Sequence, residues 1–446
     1  MKLSVSGYKS LSNKVTIDIN GLTILSGANS SGKSSFMQPF LLMKQTLDST
    51  YSSDALILNG ENVKLSDSKE VLSRIDGADK THFVLEAQND KKVTIGLKFE
   101  YVKNTGILTK SVFLENKNKD TVEFHDGEEI GDDITIDKYM DARSRRSMNN
   151  FTTYLLGRNK KYKKNLFIDE SSIKLKMVSF PSGSDSISYG FDFNSTLQDV
   201  CKGIIHIPGI RGSYDRTYKV TTTGKSRTNI FKGTFEQYVA SIIHGWKGGK
   251  DGRANLSLLM DYLFVLNLTS DIDVERKNDT QLEIKVSRFK KRKGEKNDLV
   301  NILDVGFGVS QILPVLVAII SSRENNIVYV EQPELHLHPN AQMILAEIIS
   351  SSVNKGIKFV IETHSSIFIR GIQTQVAKGL LDKSKVSLNW FTQDELTGET
   401  KVSQSSLNSL GAFGDWPEDF ETTYYKADVD YLDAVEEAEV RLSNGK

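Results

Sequence analysis

The chain has 446 residues, a formal net charge of zero, 38% hydrophobic residues and one cysteine. That length buries a large core, in one elaborated head or in two domains; the single cysteine, Cys201, excludes an internal disulfide and suits a reducing cytoplasm. Charge neutrality means that any affinity for nucleic acid must come from local patches, and the longest apolar run, Ile312 to Ile320, is too short to cross a bilayer, so no membrane or export role is expected.

From the first residue the pattern is that of an α/β domain. Met1 to Gly7 alternates like a strand and does not resemble a signal peptide. Residues 2–8, 14–20 and 22–26 read as short strands, and the last feeds directly into Gly27-Ala28-Asn29-Ser30-Ser31-Gly32-Lys33-Ser34-Ser35. A helix-compatible stretch, Phe36 to Leu47, follows. Glycines in this setting let successive backbone N–H groups curl around a polyphosphate, and the helix N-terminus adds its dipole. Lys33 then reaches the β- and γ-phosphates, and Ser34 holds Mg²⁺. The sequence therefore predicts a nucleoside triphosphate site; the bland rival, a chance glycine-rich turn, needs strand, loop and helix to fall in order by accident.

Residues 55–100 read as a meander of strands, with alternation in Thr81 to Glu86 and Val93 to Phe99. Tyr8-Lys9-Ser10 sets an aromatic at a strand end, which serves as often in packing as in a ligand contact. Residues 101–295 read as an insertion between two halves of a nucleotide site, without the sustained heptads of a long coiled coil. Within it, Arg211 and Arg216 in the segment Ile204 to Tyr218 either support the nucleotide site or brace the insertion, bracing being the plainer reading. Two basic runs stand out: Arg143 to Lys164, and Arg288 to Lys296 at the expected tip of a hairpin. They are DNA or RNA contacts or, as charge runs usually are, solvated turns.

Three further motifs lie near the far end. Asp304-Val305-Gly306-Phe307-Gly308-Val309-Ser310-Gln311 opens an apolar helix. Ile327-Val328-Tyr329-Val330-Glu331-Gln332-Pro333-Glu334-Leu335-His336-Leu337-His338-Pro339 is a buried-strand pattern ending in acids, as a Walker B strand must to reach Mg²⁺. Phe359-Val360-Ile361-Glu362-Thr363-His364-Ser365 is a second apolar strand ending in a polar switch. Glu334, His336 and His338 alternate like metal ligands, but zinc usually takes four N/S ligands and the one cysteine is remote in sequence, so no metal cage is expected there.

This order resembles the ABC-type ATPases that include the chromosome-structural-maintenance and double-strand-break-repair proteins. It is most similar to the bacterial anti-phage ATPases of the overcoming-lysogenization-defect (OLD) and Septu (PtuA) kind, whose usual spelling is E-x-P-E-x-H-L-H-P followed by T-H-S. The resemblance covers residues 1 to about 60 and about 296 to 420 well and the middle poorly. It implies an ABC-type (chromosome-maintenance-like) P-loop ATPase head with a mid-chain insertion lobe. The implied divisions are 1–100 and 296–410 for the two halves of the head, 101–295 for the lobe and 411–446 for a C-terminal extension.

The resemblance further implies ATP and Mg²⁺ as ligands and a homodimer in which each nucleotide is shared. Gly27, Asn29, Ser30, Ser31, Gly32, Lys33, Ser34 and Ser35 would hold it from one chain, and Gly308, Ser310 and Gln311 from the other. Glu331 would join Ser34 on the Mg²⁺ side, His364 would sense the γ-phosphate, and His338 would face the partner. Most such ATPases place a catalytic glutamate where this chain has Gln332, and an amide cannot act as general base. Glu334 is a substitute, but in an extended chain it would point to the other side. Slow hydrolysis is thus expected.

Some relatives append a nuclease after the switch histidine; here too few residues follow His364, and Asp428-Val429-Asp430 lies in a polar, helix-like segment. Cutting is therefore assigned to a partner. The aromatics Phe413, Trp416 and Phe420 read equally as a docking surface or as a cap on the core. The resulting expectation is an ATP-dependent sensor for a separate nuclease effector in phage defence, with a DNA-repair ATPase and a non-hydrolysing ATP-bound scaffold as rivals.

Overall fold

The structure, a computed structural model, describes residues 1–49, 55–75, 80–125, 129–130, 162–169, 174–181, 187–190, 195–211, 215–221, 230–288, 298–324, 326–413, 429–436 and 438. The fold is α/β. Its centre is a six-stranded sheet ordered Ile204–Ile207, Ile327–Glu331, Lys358–Glu362, Leu22–Gly27, Val386–Gln393 and Thr400–Ser406. All neighbours are parallel except the last pair. Its inner strands are continuous apolar runs because both faces are covered.

The two faces carry different partners. Leu25, Tyr329 and Val360 project to one side, where they pack with Phe36, Phe40 and Met43 of the helix Lys33–Asp48 and with Leu3, Val5, Phe83 and Leu85 of a second, antiparallel sheet. Ile24, Val328, Val330 and Ile361 project to the other, against the helices Phe307–Ser321, Pro339–Asn354, Ser366–Ala377 and Val239–Trp246. The period-two alternation of a strand does this sorting.

The expected strands at 2–8, 14–20 and 22–26 appear as Lys2–Ser6, Val15–Asp18 and Leu22–Gly27. The insertion expected over 101–295 divides differently. The strand Thr94–Val102 crosses its expected start, and the second sheet continues through Gly106–Glu115 and Thr121–His125. A separate four-stranded sheet holds Glu129–Ile130, Tyr162–Asp169, Lys174–Pro181 and Ile187–Gly190. By Ile204–Ile207 the chain is back in the central sheet, pairing with Ile327–Val330. The helix Val239–Trp246 and the strands Ile272–Asn278 and Gln281–Ser287 then share the head's core. Four residues of strand are too short a signal to mark that return in the sequence.

Gln281–Ser287 pairs with Leu299–Asn301, so the flanks of the expected basic hairpin are present, closed by Arg288 and Asp298 at 2.8 Å; the tip, 289–297, and residues 143–161 of the first basic run lie outside the described residues. Tyr8 is fully buried, edge-on to Phe83, with its hydroxyl donating to Gln38, so it is a packing residue. Phe413 is buried in the head's core and bridges to Leu407. Trp416 and Phe420 lie outside the described residues, as does Asp428, while 429–436 are helical with Asp430 exposed.

Candidate nucleotide-binding site

The loop after Leu22–Gly27 is shaped by close backbone approach. Gly27 has φ 139° and a Cβ there would lie 2.1 Å from Phe391 O; Gly32 has φ 98° and its Cβ would lie 2.4 Å from Thr400 Oγ1. Only glycine fits either place. Thr400 Oγ1 also stands 2.8 Å from Ser31 O and 2.7 Å from Ser10 Oγ, so the edge strand clamps the loop from outside. Asn29 and Ser30 are exposed at its tip, Ser30 with φ 62°. Lys33 is buried, and its Nζ donates to Gly27 O at 3.1 Å and Ala28 O at 2.7 Å. Burial lowers the pKa of this amine, against the pull of Glu362. The helix begins here without a side-chain cap, so its first N–H groups offer an anion site. Ser34 and Ser35 sit half-buried in that first turn.

The acids are arranged differently from the motif reading. The hydroxyl of Ser34 meets not Glu331 but Glu362, donating to its Oε2 at 2.7 Å. Glu362 ends the strand between those of Glu331 and the phosphate loop, in register with Glu331 on one side and Leu25 on the other. Tyr329 OH donates to Glu362 Oε1 and lies 3.3 Å from Glu331 Oε1. Burial, then the charge of Glu331, pushes the Glu362 carboxyl up to about 7. Glu331 faces the other way, with Oε1 3.2 Å from His206 Nε2 and Oε2 accepting from Gly209 N at 3.0 Å. Burial pushes Glu331 up, but those partners outweigh it and hold it below the usual carboxylate range. His206 stacks on Tyr329 and reaches Asn62 through Nδ1 at 3.1 Å. Motif reading missed Glu362 and His206. An acid closing a buried, largely apolar strand was the available signal for the first.

Beyond Glu331 the chain turns sharply. Gln332 has φ 45°, its N–H donates to Glu362 O at 2.7 Å, and Leu335 N closes the turn onto Gln332 O at 3.2 Å. The expectation that Glu334 points away, which assumed an extended chain, is therefore corrected. Glu334 Oε1 accepts from Thr363 Oγ1 at 2.7 Å and from His364 N at 3.0 Å, whereas its Oε2 is buried without a hydrogen-bond partner. Burial raises the pKa of this carboxyl. The His364 side chain is half-buried beside Gly27 and Lys33; burial, then the Lys33 charge, lowers its pKa. His364 thus stands at the phosphate loop.

Arg211 braces this turn. Its guanidinium donates to Pro208 O at 2.8 Å, Gln311 O at 3.2 Å, Glu331 O at 2.6 Å and Gln332 O. Burial pulls it down to about 10. What it braces is the Glu331–Gln332 turn together with the helix of Gln311. Arg211→Ala should destabilise the chain by about 2–3 kcal/mol, since buried carbonyls lose their donor. Arg211→Lys should recover only part, because an ammonium cannot span the same carbonyls. Urea denaturation measures both.

The helix Phe307–Ser321, here called the signature helix, lies on the opposite face of the central sheet from the phosphate-loop helix Lys33–Asp48. Ser310 is buried with Oγ donating to Phe307 O at 2.9 Å, and Gln311 is engaged with Arg211, its Oε1 accepting from Arg211 N at 3.3 Å and its amide donating to Arg211 O. Gln311 thus holds the backbone of Arg211. Gly306 and Gly308 line a cleft of about 380 Å³ with His336, His338 and Arg288. His336 lies 6.0 Å from the Phe307 ring, and His338 caps Pro339–Asn354 through Asn340 N. Arg216 pairs with Asp304 at 2.7 Å, at the entry to the signature.

The sequence matches the family described as AAA ATPase domain over residues 1–244 and 247–369. The chain belongs to that family. Membership implies ATP as ligand, with Mg²⁺ its usual companion. The residues fit the pair: an uncapped helix start, the Lys33 cation, and two buried polar atoms without partners, Ser31 Oγ and Glu334 Oε2. No curated protein matches. Among solved structures, the Smc head bound to the C-winged helix domain of ScpA is 13% identical at TM-score 0.46, covering 91% of this chain and 97% of that one. The SMC head domain from Thermotoga maritima is 10% identical at TM-score 0.35, covering 90% and 97%. The Smc head with an extended coiled coil bound to the C-terminal domain of ScpA, from Pyrococcus furiosus, is 12% identical at TM-score 0.40, covering 91% and 96%.

Proposed function

We propose that this AAA ATPase binds Mg-ATP at its phosphate loop, closes as an ABC-type homodimer around shared nucleotides, and gates a separate nuclease in bacterial anti-phage defence. The observation that carries the reading is the split of the site across the central sheet. Lys33, Ser34, Glu362 and His364 gather on one side, whereas the helix of Ser310 packs on the other, with Phe307 left 66% exposed before it. Such a chain supplies two unlike halves of a nucleotide site, and a second copy would join them. Glu362, with Glu331 and Glu334 close by, forms the acid side, and bound Mg²⁺ would neutralise phosphate charge there.

The defence role rests on the E-x-P-E-x-H-L-H-P and T-H-S spelling. A non-hydrolysing scaffold is the second reading, favoured by Gln332 at the usual base position. Plating phage on cells that carry the chain with its neighbouring gene tests the role: protection should need both genes and be lost with Lys33→Ala. Protection by the neighbour alone, or by the Lys33→Ala pair, contradicts it. Because Phe413 belongs to the core, the docking segment is tested by truncation after Phe413. The shortened chain should bind ATP normally and lose its neighbour-encoded partner in a pull-down; retained partner binding would move the docking surface elsewhere.

A further inference from the structure

We infer that Glu362, and not Glu331, is the acid that faces the Mg²⁺ held at Ser34. The inference rests on the Mg-ATP reading above and concerns how this chain completes that site. The Ser34 hydroxyl donates to Glu362 Oε2, 2.7 Å away, so Mg²⁺ held at Ser34 would have that carboxylate beside it, directly or through one water. The sheet order enforces this. The strand ending in Glu362 separates the strand of Glu331 from that of the phosphate loop, and the register sets Glu331, Glu362 and Leu25 side by side.

The carboxyl groups also differ in what else they serve. Both oxygens of Glu331 are committed away from the loop, Oε1 to His206 Nε2 and Oε2 to Gly209 N. Each oxygen of Glu362 has one donor, Ser34 or Tyr329, which leaves lone pairs for a cation. Two neighbouring carboxyls bridged by a tyrosine hydroxyl are costly in a buried site unless a positive charge relieves them. Next to the loop, the buried Ser31 Oγ has no hydrogen-bond partner, an independent sign that the pocket is shaped for a ligand. Glu331 then acts as a positioning residue, fixing Tyr329 and through it Glu362.

The test is a titration of the full chain with a fluorescent ATP analogue, with and without Mg²⁺, read as the ratio of the two affinities. In Glu362→Gln, which keeps an acceptor for Ser34 but removes the charge, the Mg²⁺ gain should fall by about tenfold or more, equivalent to about 1.4 kcal/mol. Glu331→Gln should lose less of it. A Glu362→Gln chain with the wild-type gain, or a larger loss in Glu331→Gln, overturns the assignment. If Glu362→Gln fails to fold, Glu362→Asp decides: withdrawing the oxygens by one methylene should reduce the gain, and an undiminished gain in folded protein overturns it. Wild-type protein that binds no nucleotide under either condition would instead sink the ATP reading itself.

Discussion

Lys33→Ala is expected to weaken ATP binding by about 100-fold or more. The amine stands buried at the mouth of the loop, donating to Gly27 O and Ala28 O, and His364 and Glu362 both feel its charge. Charge-assisted hydrogen bonds to phosphate are worth about 1.5–3 kcal/mol each, and the loss of one or two amounts to about two decades of affinity. The substitution leaves the strand and helix intact, since Gly27 and Gly32 set the loop's curvature and Thr400 clamps it. Calorimetric titration reads the effect. An affinity within about threefold of wild type would place the nucleotide elsewhere.

Turnover should be slow in the wild type, below roughly 1 s⁻¹, and should rise about tenfold or more in Gln332→Glu. An amide cannot take the proton of an attacking water. The backbone at Gln332 is held on both sides, its N–H on Glu362 O and its carbonyl on Arg211, so a glutamate there inherits the same direction. The residual turnover is assigned to Glu334. That carboxyl touches Thr363 and His364 and has an unpartnered buried oxygen, so Glu334→Gln should remove what activity remains. Phosphate release under single turnover separates the cases. Fast wild-type hydrolysis, or no gain in Gln332→Glu, would defeat this account of the step.

What the sequence made legible follows from period and glycine. The strands Leu22–Gly27, Ile327–Glu331 and Lys358–Glu362 are largely apolar and buried, and Gly27 and Gly32 stand where no Cβ fits. Strand order is a different kind of information. A motif assigns its acid by place in the sentence and cannot reveal that the neighbouring strand sets Glu362 between Glu331 and Ser34. The alternation argument failed for Glu334 because the chain leaves extended geometry at Gln332, where a positive φ at a non-glycine residue carries no sequence mark. Arg211 and Gln311 pair across a hundred residues, and His206 meets Glu331 over a similar span, contacts that no local pattern announces.

Sharing of the nucleotide between two chains is the central claim, and complementation under sedimentation tests it most directly. Lys33→Ala lacks a working phosphate loop, and Ser310→Arg puts a bulky cation where the signature helix begins. Each mutant alone should remain monomeric with ATP and Mg²⁺, because both of its composite sites are damaged. An equimolar mixture should form ATP-dependent heterodimers, in which one site joins an intact loop to an intact Ser310. A mixture that stays monomeric, or Ser310→Arg protein that dimerises on ATP as the wild type does, would contradict the shared site.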